Sequence, residues 1–136
     1  MKKLIKKSLL LFLAVILFGC SGSSLPKGFD EDEVISKAKD VVAVINTQDY
    51  TAVVSLLRSD LQGQVTAEQL QEAWGSYLDA AGDFKEFKTI VTKSQTDSAT
   101  KEEYAVVVLE TVYQNSTRVF TLSFNQELEL VGLYMK

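Results

Sequence analysis

The carboxylate with the clearest potential for acid–base chemistry is Glu110, which lies within a run of valines. If this run forms a β-strand, alternation places it on one face with four less polar residues: Tyr104, Val106, Val108 and Val112. A carboxylate on such a face can serve as a base near neutral pH. The simpler interpretation puts Glu110 on a solvated face, paired with Arg118 across the following hairpin.

Aromatic side chains offer a second possibility, a ligand pocket. Trp74 and Tyr77 lie about one helical turn apart, and tyrosines on later strands could complete the walls of the pocket. Aromatic residues on the apolar face of a helix usually belong to the core, which is the simpler interpretation. If a pocket forms, the residues expected to line it are Trp74, Tyr77, Tyr104, Glu110 and Tyr113, with Tyr134 as a further candidate.

Composition excludes several kinds of chemistry. The 136 residues include no His and one Cys, so His-based triads, Cys–His dyads and ordinary zinc sites are ruled out. No glycine-rich phosphate loop or Gly-x-Ser-x-Gly elbow is present, and we expect neither a metal nor a cofactor. Without the first 19 residues and their four lysines the net charge is −8, which argues against nucleic acid as a partner.

The first 19 residues predict an export signal. Residues 1–7 carry four lysines and no acid, and residues 9–18 are uniformly apolar. Ten residues rise about 15 Å as a helix, half of a roughly 30 Å hydrocarbon core, so no permanent span is expected. Residues 17–20 (LFGC) resemble the lipobox of bacterial lipoproteins, although Phe18 is larger than the usual residue there.

The lipobox resemblance implies cleavage before Cys20, a diacylglycerol on its sulfur and display on the extracytoplasmic face of the cell membrane. A lone Cys agrees with this, because an acylated Cys needs no disulfide partner. The alternatives are an ordinary cleaved signal followed by a chance Cys, and an uncleaved signal anchor. We expect a signal peptide at 1–19, a lipidated Cys and flexible tether at 20–28, and one domain at 29–136.

The N-terminal part of that domain is predicted to be helical. Apolar residues recur at helical spacing between positions 34 and 45, a shorter helix follows, and a third ends at Gly82. The residues that could cap the three helices are Asp30, Asp49 and Thr66, the last with Gln69 in a capping box. The face of the third helix predicted to be buried comprises Leu70, Ala73, Trp74, Tyr77, Leu78 and Ala81.

After Gly82 the pattern changes to that of strands. We predict strands at 84–93, 103–113, 117–125 and 128–135, joined by short links that favour antiparallel neighbours. The second is apolar on both faces and should lie centrally. A turn centred on Asn115 would set Arg118 opposite Val112. The predicted class is α+β, with N-terminal helices packed on one face of a four-stranded antiparallel sheet.

This order resembles the nuclear transport factor 2-like superfamily, also called the cystatin-like α+β cone. Residues 46–50 (NTQDY) and 130–134 (LVGLY) carry the resemblance, and they look like a bacterial domain of unknown function found in small lipoproteins and ahead of some α/β-hydrolases. The resemblance implies a curved four-stranded sheet that often encloses a pocket. It also implies homodimers through the sheet, and relatives that range from isomerases and dehydratases to proteins without known activity.

We therefore expect a lipoprotein whose domain is a non-catalytic binding or accessory module for a small apolar ligand or an envelope protein partner. Its other partners would be membrane lipid, through acylated Cys20, and a second copy bound through the sheet. The alternative is a small cone-fold enzyme, of isomerase or hydrolase-accessory type, with Glu110 as base. A third possibility is a structural envelope protein whose cone is filled by its own side chains. The orientation of Glu110 separates the first two.

Overall fold

The computed structural model describes residues 25–136. The predicted signal peptide, Cys20 and the first part of the tether lie outside these residues. Three helices precede four strands: α1 (Glu31–Asn46), α2 (Tyr50–Leu56), α3 (Ala67–Ala81), β1 (Phe84–Thr96), β2 (Glu103–Tyr113), β3 (Thr117–Phe124) and β4 (Leu130–Met135). The predicted α+β class is confirmed. Within residues 25–136, none of the helices has the length and apolar character that crossing a membrane requires.

The helix starts are set by local hydrogen bonds, as predicted. The side chains of Asp30 and Asp49 each accept a backbone N–H three residues along the chain, at 3.0 and 3.1 Å. Thr66 and Gln69 form both bonds of a capping box at the start of α3. At the other end of α3, Gly82 takes a φ of 79°, a left-handed value that suits glycine.

The strands form one antiparallel meander in the order β1-β2-β3-β4. Strand β2 has the predicted bounds and an inner position, whereas β1 continues three residues further than predicted and β4 begins two residues later. Register shifts interrupt the β1–β2 ladder near Phe84 and Phe87 and the β3–β4 ladder near Ser123. Such irregularities bend and twist strands, which curls the sheet around the helices.

One face of the sheet packs on the helices and is called the inner face here. On β2 it comprises alternate residues that are all buried: Ala105, Val107, Leu109, Thr111 and Tyr113. Phe120 and Phe124 on β3 are the largest fully buried side chains, and they join the apolar stripe of α1 in a single core. The intervening residues of β2, including Glu110, belong to the outer face, which none of the helices described in residues 25–136 covers.

The hairpin between β2 and β3 differs from the prediction by one residue. The backbone N–H of Tyr113 donates to the carbonyl of Ser116 at 2.8 Å, so residues 114 and 115 together form the turn. This register sets Arg118 opposite Thr111, not opposite Val112. Because side chains alternate along a strand, Arg118 lies on the inner face.

Helix α3 is less deeply buried than its apolar stripe predicts. Leu70, Leu78 and Ala81 are buried as expected, but Trp74 is only half-buried. Ala73 is exposed and the side chain of Tyr77 is 59% exposed, so the prediction was wrong for these two residues. Positions 73 and 77 lie at one border of the stripe, where they line an open cleft with residues of β3 and β4 and remain in contact with solvent.

Candidate functional site

The residues predicted to line one pocket lie in four different places. Trp74 and Tyr77 share a cleft on α3, and Tyr113 lies in a neighbouring cleft. Tyr104 lies towards the start of β2, beside the β1–β2 loop, and Glu110 lies on the outer face. The sequence therefore identified aromatic side chains that line clefts. It did not predict that these side chains are divided among separate clefts. Their role in ligand binding stays a prediction.

The first cleft lies between α3 and the ends of β3 and β4, and we call it the aromatic cleft. Its volume is about 320 Å³. Its lining residues are Ala73, Trp74, Tyr77, Arg118, Met135 and Lys136. Trp74 is the single tryptophan of the chain, so its fluorescence reports on this cleft alone. Two aromatic rings and a methionine give the cleft apolar walls, and two cationic side chains lie beside them.

Arg118 is the central polar group of the aromatic cleft. Its guanidinium carbon lies 5.6 Å from the centroid of the Tyr77 ring, which is a cation–π distance. Its Nη2 donates to the carbonyl of Tyr77 at 3.1 Å, and its Nη1 donates to the carbonyl of Thr117 at 3.4 Å. Its Nε is buried and has no acceptor among the described residues. Within residues 25–136 no carboxylate forms an ion pair with Arg118.

The second cleft lies at the end of α1, where α3 meets the start of β1, and we call it the amide cleft. Its volume is about 380 Å³. The residues that line it are Asn46, Gln48, Leu78, Asp79, Gly82, Asp83, Phe84 and Tyr113. Gln48, at the left-handed φ of 58°, donates from its side chain to Asp79 at 2.8 Å. This cleft is therefore amide-rich and acidic, in contrast to the aromatic cleft.

Tyr113 closes the inner end of the amide cleft. Its ring is 4% exposed, and its hydroxyl donates to Oδ1 of Asn46 at 2.5 Å. Burial raises the pKa of Tyr113 to about 12, although the nearby charge of Arg118 and the hydrogen bond to Asn46 act in the opposite direction. The hydroxyl therefore stays protonated and joins β2 to the end of α1.

Glu110 lines neither cleft. It pairs with Thr89 and Val119 in the two ladders, and its carboxylate lies 3.9 Å from Nζ of Lys88. The prediction of a solvated face is confirmed, but the predicted partner Arg118 is wrong. The one-residue change in the β2–β3 register moves Arg118 to the inner face, on the opposite side of the sheet.

Tyr104 belongs to a polar network near the β1–β2 loop. Its hydroxyl donates to Glu102 at 2.9 Å, and this hydrogen bond raises the pKa of Tyr104. Glu102 also lies 3.4 Å from Arg58, which holds Asp60 at 2.7 Å. The network ties the loop after α2 to the β1–β2 hairpin. Tyr104 lies at a distance from both clefts and lines a separate one of about 300 Å³ together with Arg58.

Several cleft residues were not among the predicted site residues. The sequence indicates Arg118 as an ionisable candidate on the middle strands and as a partner of Glu110, but it predicts no site role for Met135 or Lys136. Asn46 and Gln48 do lie within residues 46–50. That segment carries the family resemblance, but it was not predicted to form a site. Within residues 25–136 no group of three or more acidic, His or Cys side chains is arranged to hold a metal ion.

Comparisons with known proteins give a family but no activity. A profile described as "Protein of unknown function (DUF3887)" matches residues 38–133. The search of curated proteins finds no match. A protein from Ruminococcus gnavus ATCC 29149, solved by NMR, is similar at 26% identity with a TM-score of 0.74. That match covers 83% of this chain and 96% of the other.

Proposed function

We propose that this chain, which belongs to the DUF3887 family of proteins of unknown function, is a lipid-anchored binding module outside the cytoplasmic membrane. It holds a small, largely apolar ligand and carries out no catalysis of its own. The observation that carries this proposal is the aromatic cleft, where Trp74, Tyr77 and Met135 offer apolar surface beside Arg118.

The chemistry of the aromatic cleft suits reversible binding. Its volume of about 320 Å³ lies at the lower end of the range for small-molecule sites, which is about 300–1,000 Å³. Aromatic walls give a ligand large contact areas at low cost in side-chain entropy. Such sites usually combine apolar walls with a few polar groups that fix orientation, and Arg118 is such a group. These features support a ligand site on the rim of the domain, whereas the buried core between the helices and the sheet is the feature that supports the third possibility, a structural envelope protein.

The location rests on the first 20 residues. A basic segment, a short apolar segment and a lipobox-like ending support export and acylation of Cys20. Acyl chains contribute about 0.8 kcal/mol per buried CH₂ group, so two chains give stable anchoring. The acidic domain would be repelled by anionic headgroups, so the lipid would be what holds it at the membrane. The finer resemblance to the nuclear transport factor 2-like superfamily stays a prediction.

The alternative of a cone-fold enzyme lacks support at its central residue. The predicted base, Glu110, lies on the outer face beside Lys88 and away from both clefts. The amide cleft does contain two carboxylates, Asp79 and Asp83, which line it together with Tyr113. Both are exposed, whereas proton abstraction near neutral pH depends on a carboxylate that burial shields from water. The geometry therefore favours binding over catalysis.

A second copy of the chain is the protein partner that the sheet supports best. One row of paired residues crosses the outer face from Val91 through Val108 and Thr121 to Tyr134. The side chains of Val91 and Tyr134 are 46% and 60% exposed. Exposed apolar side chains of this kind, on a face that no helix of residues 25–136 covers, are suited to packing against the same side chains of a second copy. The number of subunits in solution tests this proposal directly.

Native mass spectrometry of the soluble segment 21–136, purified gently from cells, tests binding and subunit number together. We expect a reproducible non-covalent adduct on the parent protein, with the adduct lost or greatly reduced in Trp74→Ala. Tyr134→Ala, an aromatic truncation outside the cleft, is the control for binding and should keep the adduct, while its place on the outer face predicts a lower subunit number. A clean unliganded mass for all three proteins, with a folded spectrum, would contradict a ligand-holding cleft.

Membrane fractionation tests the anchor separately. In the full chain, Cys20→Ala should move the protein out of the membrane fraction, because the acylated sulfur is the proposed attachment. Ser21→Ala is the matched control and should leave fractionation unchanged. A Cys20→Ala protein that remains in the membrane fraction after a high-salt wash would contradict anchoring by acylation.

A further inference from the structure

We infer that the ligand of the aromatic cleft is a small amphipathic acid, with an apolar body against Trp74 and Tyr77 and a carboxylate bound by Arg118. This assignment rests on the proposed function. It specifies the charge and polarity of the ligand, whereas the apolar walls alone specify only that the ligand is apolar. It depends on three observations: the unused donors of Arg118, the sign of the charges around the cleft, and the contrast with the amide cleft.

The donors of Arg118 are only partly used by the protein. Its two hydrogen bonds go to the neutral carbonyls of Tyr77 and Thr117. A guanidinium carries more N–H donors than these bonds employ, and its Nε is buried without an acceptor in the described part of the chain. A shielded cation gains most from an anionic acceptor, because charge-assisted hydrogen bonds are roughly twice as strong as neutral ones. A planar carboxylate matches the fork of donors that Arg presents.

The distribution of charged side chains also favours an anionic ligand. The whole chain has a net charge of −4, yet the lining of the aromatic cleft contains Arg118 and Lys136 and no acidic residue. The backbone of Lys136 pairs with Val119 at 2.9 and 3.0 Å, which places this residue at the rim of the cleft. A local positive potential on an acidic protein attracts an anion and repels a cation.

The neighbouring amide cleft shows the opposite character. It is lined by Asp79 and Asp83 and contains no basic residue. An amphipathic acid would therefore be directed to one of the two clefts and away from the other. The ring of Tyr77 and the half-buried Trp74 would contact its apolar body, while the guanidinium stacked on Tyr77 is held in place for the acid group.

Three probes separate the contributions: decanoate, 1-decanol of the same chain length, and acetate. Each is titrated below its aggregation concentration into the soluble segment 21–136, with the fluorescence of Trp74 as readout. This segment contains the entire described core, and an NMR structure of similar fold is matched over 96% of its chain. We expect decanoate to bind at least about tenfold more tightly than 1-decanol, as one charge-assisted hydrogen bond implies, and acetate to cause no change.

Arg118→Gln should remove the preference for decanoate while leaving the affinity for 1-decanol within about twofold. Lys37→Gln, an exposed charge on α1, is the control and should keep the preference. Equal binding of decanoate and 1-decanol to the parent protein would overturn the assignment of an acid while leaving an apolar cleft in place. Binding of neither probe would contradict the apolar cleft itself and hence the proposed function. The comparison on the parent protein needs no variant, so a failure of Arg118→Gln to fold cannot obscure the result.

Discussion

Replacing Tyr113 by Phe tests how the inner end of the amide cleft is built. The Tyr113 ring is 4% exposed and its hydroxyl donates to Asn46 at 2.5 Å, joining β2 to the end of α1. At pH 8 the variant loses this hydrogen bond, which is expected to lower the free energy of unfolding by about 1 kcal/mol. The larger effect appears at alkaline pH.

The magnitude follows from the pKa of Tyr113, which burial raises from 10.0 to about 12. Above pH 10 the unfolded chain loses this phenolic proton while the folded protein retains it. The associated stability is therefore fully present below pH 10 and is lost as the pH rises towards 12. The whole difference corresponds to about 2.7 kcal/mol, of which about 1.4 kcal/mol is lost by pH 11.

Urea unfolding followed by far-ultraviolet circular dichroism, at pH 8 and pH 11, measures this directly. The parent protein should lose about 1.4 kcal/mol more than Tyr113→Phe between the two pH values, because the variant lacks the titrating group. Lysine titration affects both proteins equally and cancels. Tyr134→Phe, at a position 60% exposed on the outer face, is the control and should show the parent's loss. Equal losses for the parent and Tyr113→Phe would refute the account of Tyr113 as a buried phenol.

Two further substitutions test other parts of the structure. Thr66→Ala removes the capping box of α3 and should lower the free energy of unfolding by about 1 kcal/mol, measured by urea titration; no change would show that α3 does not depend on this cap. Glu110→Gln should change stability by less than about 0.5 kcal/mol, because its ion pair with Lys88 is long and exposed. The same variant should bind decanoate as the parent does. A large loss of binding would show that Glu110 takes part in the ligand site after all.

Local features of the fold were predictable from sequence because their causes are local. Each cap is a short side chain that accepts a backbone N–H three residues away, and that spacing is visible in the sequence at Asp30, Asp49 and Thr66. The run of β-branched residues likewise marked β2, although both of its faces are apolar and the sequence did not show which one meets the helices. The bounds of β2 were therefore predicted correctly, as was the meander order.

The composition of the clefts was not predictable in the same way. The face on which Arg118 lies depends on whether one or two residues form the β2–β3 turn, and a change of one residue reverses every side chain of β3. The exposure of Tyr77 depends on how closely α3 packs against β3 and β4, which no local pattern specifies. Arg118 and Tyr77 meet in the aromatic cleft. The sequence therefore predicted the aromatic residues of this cleft but not its cationic residues.

The most direct test of the central claim is to locate the bound ligand by two-dimensional NMR of the ¹⁵N-labelled segment 21–136 during titration with decanoate. We expect the single indole N–H resonance of Trp74 and the amide resonances of Tyr77 and Arg118 to shift progressively and saturably. Resonances of Gln48 and Asp79 in the amide cleft should move little. Shifts centred on the amide cleft or the outer face, or no saturable shifts anywhere, would contradict a ligand site in the aromatic cleft.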